Sequence, residues 1–167
     1  MSNVAFLTFG VPLEPLDHPQ NSDFVVRIDP TFEAAEASEG FVDRSVLDEE
    51  TGLESWGDFV PPRFVSNDEP WAVTLSRWQD LESVFSFAYS GFHAETLRRR
   101  REWFVTPRWP TYVAWWVPDD HTPDYKEAMD RLERLHDEGP SPDAFDFKRP
   151  FDADGRPIAL ERAQVSK

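Results

Sequence analysis

The amino-acid sequence predicts an α+β fold of the ferredoxin-like type: a four-stranded antiparallel sheet with helices on one face and an extended C-terminal tail. Three observations predict it. Strand-like and helix-like segments follow the order strand, helix, strand, strand, helix, strand, which is typical of this architecture. The last strand segment, residues 111–117, is apolar on both of its faces. The chain of 167 residues is also long enough to enclose one hydrophobic core.

The first half of the chain contains two strand patterns around one helix pattern. Val4–Phe9 is a short apolar run with β-branched and aromatic residues, as expected of a strand. Ser22 is the predicted N-cap of a helix, and Pro30 inside that helix is expected to kink or split it. Residues 41–47 return to a strand pattern. The apolar residues of the helix stand near helical spacing: Phe24, Ile28, Phe32 and Ala35.

The second half repeats the pattern with more helix. Residues 71–78 read as a strand, and Asp80 is the predicted N-cap of the helix that follows. Ser90 restarts a second helix over residues 91–104, after which comes the two-faced strand. Residues 123–138 form a charged amphipathic helix. We therefore place one domain in residues 1–138 and a proline-rich tail, packed on the same domain, in residues 139–167.

The strand at residues 111–117 predicts a partner. Tyr112, Ala114 and Trp116 lie on one face and Val113, Trp115 and Val117 on the other. Such a strand must be buried on both sides. If the helices cover one face of the sheet, the sheet of a second copy is the simplest cover for the other face. The sequence thus predicts a homodimer.

Charge and motif content exclude several classes of protein. Lys and Arg number 17 against 32 Asp and Glu, a net charge of −15 that repels nucleic acid and anionic membranes. There is no cysteine, so there is neither a disulfide nor a thiolate site. The N-terminal apolar run lacks a basic segment and is broken by Gly10 and Pro12, so we expect a cytoplasmic protein. The glycine-rich nucleotide loops, HExxH and GxSxG are absent.

His93 is the first candidate for a functional residue. It stands near a helix N-terminus, which favours a neutral imidazole able to bind a metal or accept a proton. The alternative is a structural histidine that caps the helix or packs against tryptophans. Arg44 and Arg77 lie in strand patterns, and an inward arginine would bind a substrate carboxylate or enolate. A buried arginine needs a partner, for which Asp43 and Glu54 are the candidates.

The remaining charged motifs are better explained by structure. Asp119, Asp120 and His121 suggest a metal site or proton relay, but a helix N-cap explains the two carboxylates better. Arginines 98–101 point around a helix, so we interpret them as surface residues. A calcium loop near Gly155 would need a side-chain oxygen at position 150, which is a proline.

The run WAVTLSRWQDLESVFSFAYSGFHAETLRRRREWF, followed by PTYVAWWVP, resembles the bacterial domain-of-unknown-function family 3291 over nearly the whole chain. In topology, in the phrase Thr74–Ala88 and in the helix histidine, it is more distantly similar to the dimeric α+β barrel superfamily. That superfamily contains antibiotic-biosynthesis-type monooxygenases and haem-degrading monooxygenases. The distant resemblance implies a pocket between helices and sheet that takes aromatic compounds or haem.

From this resemblance we expect a small-molecule enzyme, monooxygenase-like or haem-dependent, that acts on an aromatic or hydrophobic substrate. His93 would be the catalytic residue, or the iron ligand if haem is bound. The alternative is a non-catalytic dimer that binds a hydrophobic ligand or haem. The expected substrate-binding residues are Tyr89, Trp78, Trp103, Trp116, Arg44 and Arg77.

Overall fold

The computed structural model describes residues 1–66 and 68–161. A four-stranded sheet and four helices form its framework, which confirms the α+β class. Two short 3₁₀ turns, Pro19–Asn21 and Arg100–Glu102, complete the elements. The strands are β1 Ser2–Gly10, β2 Phe41–Arg44, β3 Leu47–Asp48, β4 Leu53–Glu54, β5 Ala72–Trp78 and β6 Tyr112–Pro118; the helices are α1 Ser22–Glu36, α2 Leu81–Tyr89, α3 Gly91–Arg98 and α4 Tyr125–Glu138.

The main sheet has the order β2-β5-β1-β6, and every neighbouring pair is antiparallel. The helical connections carry the chain from β1 to β2 and from β5 to β6, which gives the predicted ferredoxin-like order. Strands β3 and β4 pair separately as a small hairpin. The predicted single strand over residues 41–47 is therefore wrong in extent, because it stops at Arg44 and the hairpin begins at Leu47.

Helix α1 runs without interruption through Pro30, so the prediction that this residue splits the helix is wrong. Proline removes one backbone donor from a helix. Here Pro30 is exposed, and so is Val26, the residue whose carbonyl loses its helical partner. The next residue, Thr31, donates its hydroxyl to the carbonyl of Arg27 at 2.6 Å. The N-cap is Asn21, one residue before the predicted Ser22.

The other helix ends follow local signals with two corrections. The Asp80 carboxylate accepts from the backbone N–H of Ser83 at 2.8 Å and caps α2 as predicted. Helix α3 ends at Arg98, before the predicted residue 104. The N-cap of α4 is Asp124, and neither Asp119 nor Asp120 has that role. In the described ranges, no helix is both long enough and apolar enough to cross a bilayer.

Helix α4 packs on the second face of the sheet, so the prediction that the helices lie on one face is wrong. Its buried residues Ala128, Met129 and Leu132 share a cluster with Leu7 of β1 and Trp115 of β6. An amphipathic helix that follows the last strand has its own apolar stripe to bury, and this face is the apolar surface within reach. The sheet face that the sequence argument gave to a second copy is thus covered by the same chain.

The segment after α4 joins the core on the opposite face. Phe145 is fully buried, and its backbone exchanges two hydrogen bonds with Ala114 of β6, at 2.9 and 3.0 Å. Phe147 packs beside it against Phe6 and Tyr112. The segment therefore covers the free edge of β6, as an added strand would. Residues 162–167 of the predicted tail lie outside the described residues.

Gly40 fixes the turn between α1 and β2. Its φ is +84°, and a Cβ built there would overlap the side chain of Ser83 on α2. Its carbonyl accepts from the backbone N–H of Gln79 at 2.7 Å, which ties the turn to the end of β5. Any other residue would strain the backbone and displace α2.

We predict that Gly40→Ala lowers the free energy of unfolding by roughly 2–4 kcal/mol, from left-handed strain plus overpacking. Gly52→Ala is the matched control, because Gly52 has φ +71° but nothing lies within 4 Å of its built Cβ. It should lose only the strain part, about 1–2 kcal/mol. Urea unfolding of both variants measures the two losses, and equal losses would contradict the close packing against Ser83.

The homodimer stays a prediction. The argument that a second copy must cover the sheet no longer supports it, because α4 covers that face. We expect light scattering at micromolar concentration to give twice the mass of the 19.4 kDa chain. A mass of one chain across a wide concentration range would show that α4 and the tail complete the fold in a monomer.

Candidate functional site

Polar residues interrupt the apolar pattern on one face of the main sheet. On the side covered by α1 to α3, β1 presents Phe6 and Thr8, and the facing residues of β5 are Ser76 and Thr74. Trp78 continues the same face of β5, since side chains alternate along a strand. The helical layer thus meets hydroxyl groups here, whereas elsewhere on this face it meets aliphatic and aromatic side chains.

These residues line a small cavity between the sheet and the helices, with about 70 Å³ of accessible space. Helix α1 closes one side, the end of α2 another, and His93 of α3 a third. Four lining residues carry hydroxyls, and most of the others are aromatic or aliphatic. The lining residues are Phe6, Thr8, Thr31, Phe32, Ala35, Phe41, Arg44, Thr74, Leu75, Ser76, Trp78, Phe87 and His93.

His93 reaches the cavity because the chain turns sharply between α2 and α3. Ser90 is extended and Gly91 has φ +55°, which brings the start of α3 back towards the end of α2. The Nδ1 of His93 lies 2.8 Å from the carbonyl oxygen of Ala88. A carbonyl only accepts, so Nδ1 carries the proton and Nε2 is left with its lone pair.

Burial keeps this imidazole neutral. It lowers the pKa of His93 below the usual 6.5, and the Ala88 carbonyl, which favours the charged form, only partly offsets this effect. The ring packs against Phe87 with centroids 4.8 Å apart. At neutral pH the cavity wall therefore holds an uncharged base with a fixed tautomer.

Arg44 is the charged residue among the described residues that line the cavity. Its Nε donates to Glu36 at 2.8 Å, and one terminal nitrogen donates to the carbonyl of Ser45 at 3.1 Å. The guanidinium carbon lies 3.9 Å from the ring centroid of Phe32. These contacts fix a cation beside the cavity, and its charge is balanced by an outer carboxylate.

The hydroxyls of the cavity are partly engaged with one another. Thr8 and Thr74 form a short hydrogen bond across β1 and β5. The Ser76 hydroxyl accepts from the indole N–H of Trp78 at 2.9 Å. Sequence reasoning missed these residues, although a signal was present: Thr74, Ser76 and Thr8 place polar groups at core-facing positions of two buried strands.

The structure brings three of the predicted site residues together in the same cavity: His93, Arg44 and Trp78. The other four do not. Arg77 holds Asp43 with two hydrogen bonds of 2.9 and 2.7 Å and also donates to two carbonyls, so Asp43 is confirmed as the partner of Arg77. Neither predicted partner binds Arg44, which pairs with Glu36 instead. Tyr89 and Trp116 pack against the core beside the C-terminal segment, and Trp103 packs on Phe24.

The charged motifs assigned to structure have structural partners. His121 binds the Glu127 carboxylate at 2.7 Å, at the start of α4, so its carboxylate partner is not one of the two adjacent aspartates. His136 stacks on Phe64 with centroids 4.3 Å apart. Among the described residues, no group of three His, Asp or Glu side chains is arranged to hold a metal ion.

The model of a protein family matches almost the entire chain, over residues 3–161, and its description is Domain of unknown function (DUF3291). The chain belongs to the DUF3291 family. No curated protein matches it. The DUF3291 chain is similar to a solved structure, that of Rv0793 from Mycobacterium tuberculosis, with TM-score 0.43 and 11% identity over 72% of this chain and 97% of that chain. This similarity is too low to establish a relation to the dimeric α+β barrel superfamily, which stays a prediction.

Haem does not fit this DUF3291 cavity. The Nε2 of His93 is a suitable iron ligand. However, the space beside it is about 70 Å³, whereas pockets for drug-sized ligands measure roughly 300–1,000 Å³. A macrocycle would have to displace α1 or α3. We therefore derive no chemistry through haem.

We predict that the imidazole of His93 titrates below pH 6.5 and keeps the Nδ1–H tautomer. An unfolded chain then takes up a proton at higher pH than the folded one, so this residue's contribution to stability is present above 6.5 and is lost as pH falls below it. Imidazole resonances measured by NMR, with urea unfolding at several pH values, test both points. His18→Gln is the control at an exposed histidine, and a titration of His93 at or above 6.5 would contradict the burial argument.

Proposed function

We propose that this DUF3291 protein is a small-molecule enzyme that removes a proton from a compact, largely apolar substrate, with His93 as the general base. One observation carries the proposal. The bond from Nδ1 to the Ala88 carbonyl leaves Nε2 unprotonated in a half-buried residue that lines a narrow cavity. A neutral, oriented imidazole in a site shielded from water is the usual arrangement for this chemistry.

Arg44 supports the same chemistry by its charge. When a base removes a proton beside a carbonyl, or from a phenol, negative charge develops on the oxygen. A guanidinium fixed by Glu36 and Ser45 stabilises that oxygen without having to reorganise. The Glu36 carboxylate balances the guanidinium before reaction, so the site favours a substrate that is neutral when it binds.

The remaining walls define the substrate class. Phe6, Phe41, Phe87 and Trp78 present ring surface, and their neighbours on β1 and β5 present hydroxyls. Such a lining suits a flat, apolar molecule that has one or two oxygen atoms. This is the aromatic or hydrophobic substrate expected from the resemblance, restricted to compact compounds by the small volume.

In the monooxygenase-like form of the proposal, dioxygen is the co-substrate. Proton transfer to His93 gives an electron-rich anion, which dioxygen oxidises. For a substrate methylene group, one oxygen atom enters a new carbonyl and the other leaves as water, which balances the reaction. Oxygen uptake, measured with an electrode, tests this step separately from proton removal.

We expect the protein to catalyse hydrogen–deuterium exchange at carbon in small enolisable carbonyl compounds such as acetylacetone and phenylacetaldehyde in D₂O. His93→Asn places an amide donor near the Nδ1 position, which preserves the bond to Ala88, but it lacks Nε2. The rate should fall about 10²-fold or more, the usual contribution of a general base. Proton NMR of the substrate measures the rate.

His18→Gln is the matched control and should exchange at the wild-type rate. Equal rates for the wild-type and His93→Asn proteins across the set would contradict a base at His93. If such compounds shift the His93 resonance without exchange, the alternative of a non-catalytic binding protein is favoured.

A further inference from the structure

A second space lies next to the His93 cavity. It is an open groove of about 390 Å³ along α2 and the turn after α1. Five of its eight lining residues are serines or aromatic, and three are acidic. They are Ser38, Glu39, Asp80, Glu82, Ser83, Ser86, Phe87 and Ser90. Phe87 is the residue common to the groove and the cavity.

At two places along the chain, residues that line the groove lie close in sequence to residues that line the cavity. On β5 and its following turn, Trp78 lines the cavity and Asp80 the groove. Across the α2–α3 turn, Ser90 lines the groove and His93 the cavity. The side chain of Phe87 thus lies where the wide groove meets the narrower cavity.

The ring of Phe87 is held between two cavity residues. It stacks on Trp78 with centroids 5.3 Å apart and an interplanar angle of 26°, and it contacts His93 at 4.8 Å. Both contacts are with rings and neither involves a hydrogen bond. An aromatic side chain held only by packing changes rotamer at less cost than one tied by a polar contact.

We infer that Phe87 is the gate and size filter of the His93 cavity. In the closed position its ring separates the cavity from the groove. When the ring turns away, the two spaces join and a molecule in the groove reaches Nε2 of His93. Access to His93 is independent of the proposed function; only the description of the entering molecule as a substrate rests on it.

The groove adds a charge criterion to the size filter. Glu39, Asp80 and Glu82 line it, and none of its described lining residues is cationic. Anionic molecules are therefore repelled at the approach, while uncharged ones pass. This agrees with the Arg44–Glu36 pair beside the cavity, which favours a substrate that is neutral when it binds.

Carbethoxylation of His93 by diethyl pyrocarbonate tests the gate without any enzymatic activity. The imidazole nitrogen attacks a carbonyl carbon of the reagent, a C–O bond breaks, and ethyl carbonate leaves. Peptide mass spectrometry gives the rate at each histidine. In the wild-type protein we expect His93 to react more slowly than the exposed His18 and His121, which serve as internal standards.

Phe87→Ala should raise the rate at His93 by about tenfold, since the reagent no longer waits for the ring to open. Phe87→Leu, which keeps apolar volume and is the safer variant for folding, should give a smaller rise in the same direction. Phe85→Ala is the matched control, because Phe85 is on the same helix but packs on Tyr89 and Phe147 and lines neither space. Unchanged His93 rates in both Phe87 variants, or an equal rise in Phe85→Ala, would overturn the gate.

Binding of two uncharged probes tests the size filter. Phenol should shift the His93 resonance in wild-type protein, and 1-naphthol should shift it only in the Phe87 variants. Equal responses to 1-naphthol in all proteins would overturn the filter. If the gate and filter behave as expected but His93→Asn has no effect on exchange, the proposed function fails while the access route stands.

Discussion

The fold depends on the need to cover both faces of two neighbouring strands, β1 and β6. Four consecutive residues of β1, Val4 to Leu7, are at most 5% exposed, and β6 has buried residues on both sides. Each of the valine, leucine and phenylalanine side chains among them contributes about 1.5–3 kcal/mol when removed from water. Layers on both faces are therefore required. Helices α1 to α3 and the segment around Phe145 supply one, and α4 supplies the other.

This covering requirement also places the site. Where β1 and β6 are apolar, the helical layer packs directly on the sheet and leaves no space. Towards β5 and β2 the same face carries Thr8, Thr74, Ser76 and Arg44, which cannot be packed as tightly by aliphatic side chains. A small polar cavity opens there, and the turn at Gly91 brings His93 to its wall.

Sequence patterns predicted what local interactions determine. The Asp80 cap, the order of the elements and the two-faced strand follow from neighbouring residues, and the structure confirms them. The position of α4 could not be predicted, because an apolar stripe shows that a helix packs but not on which face. The sequence argument overlooked that a helix of the same chain, and not a second copy, could cover this face of the sheet.

The site was partly predictable for a similar reason. His93 stood out as an isolated histidine at a helix start, but strict alternation along β2 would put Arg44 and Phe41 on opposite faces. The register of β2 against β5 shifts between Phe41 and Asp43, which places Phe41 opposite Trp78 and Arg44 opposite Ser76. A bulge of this kind changes the facing of every later residue and leaves no clear mark in the sequence. Arg44 therefore faces the cavity, while Arg77 binds Asp43.

Basicity and access are coupled at His93. Burial lowers the pKa of the imidazole, and the ring of Phe87 contributes to that burial. When Phe87 turns away, water reaches the imidazole and its pKa rises towards 6.5, since the charged form is then better solvated. When it closes over a neutral ligand, the charge on a protonated His93 is shielded from water and is stabilised mainly by an anion formed beside it. The closed state therefore favours proton transfer that creates an ion pair within the cavity, with Arg44 adjacent to the new anion.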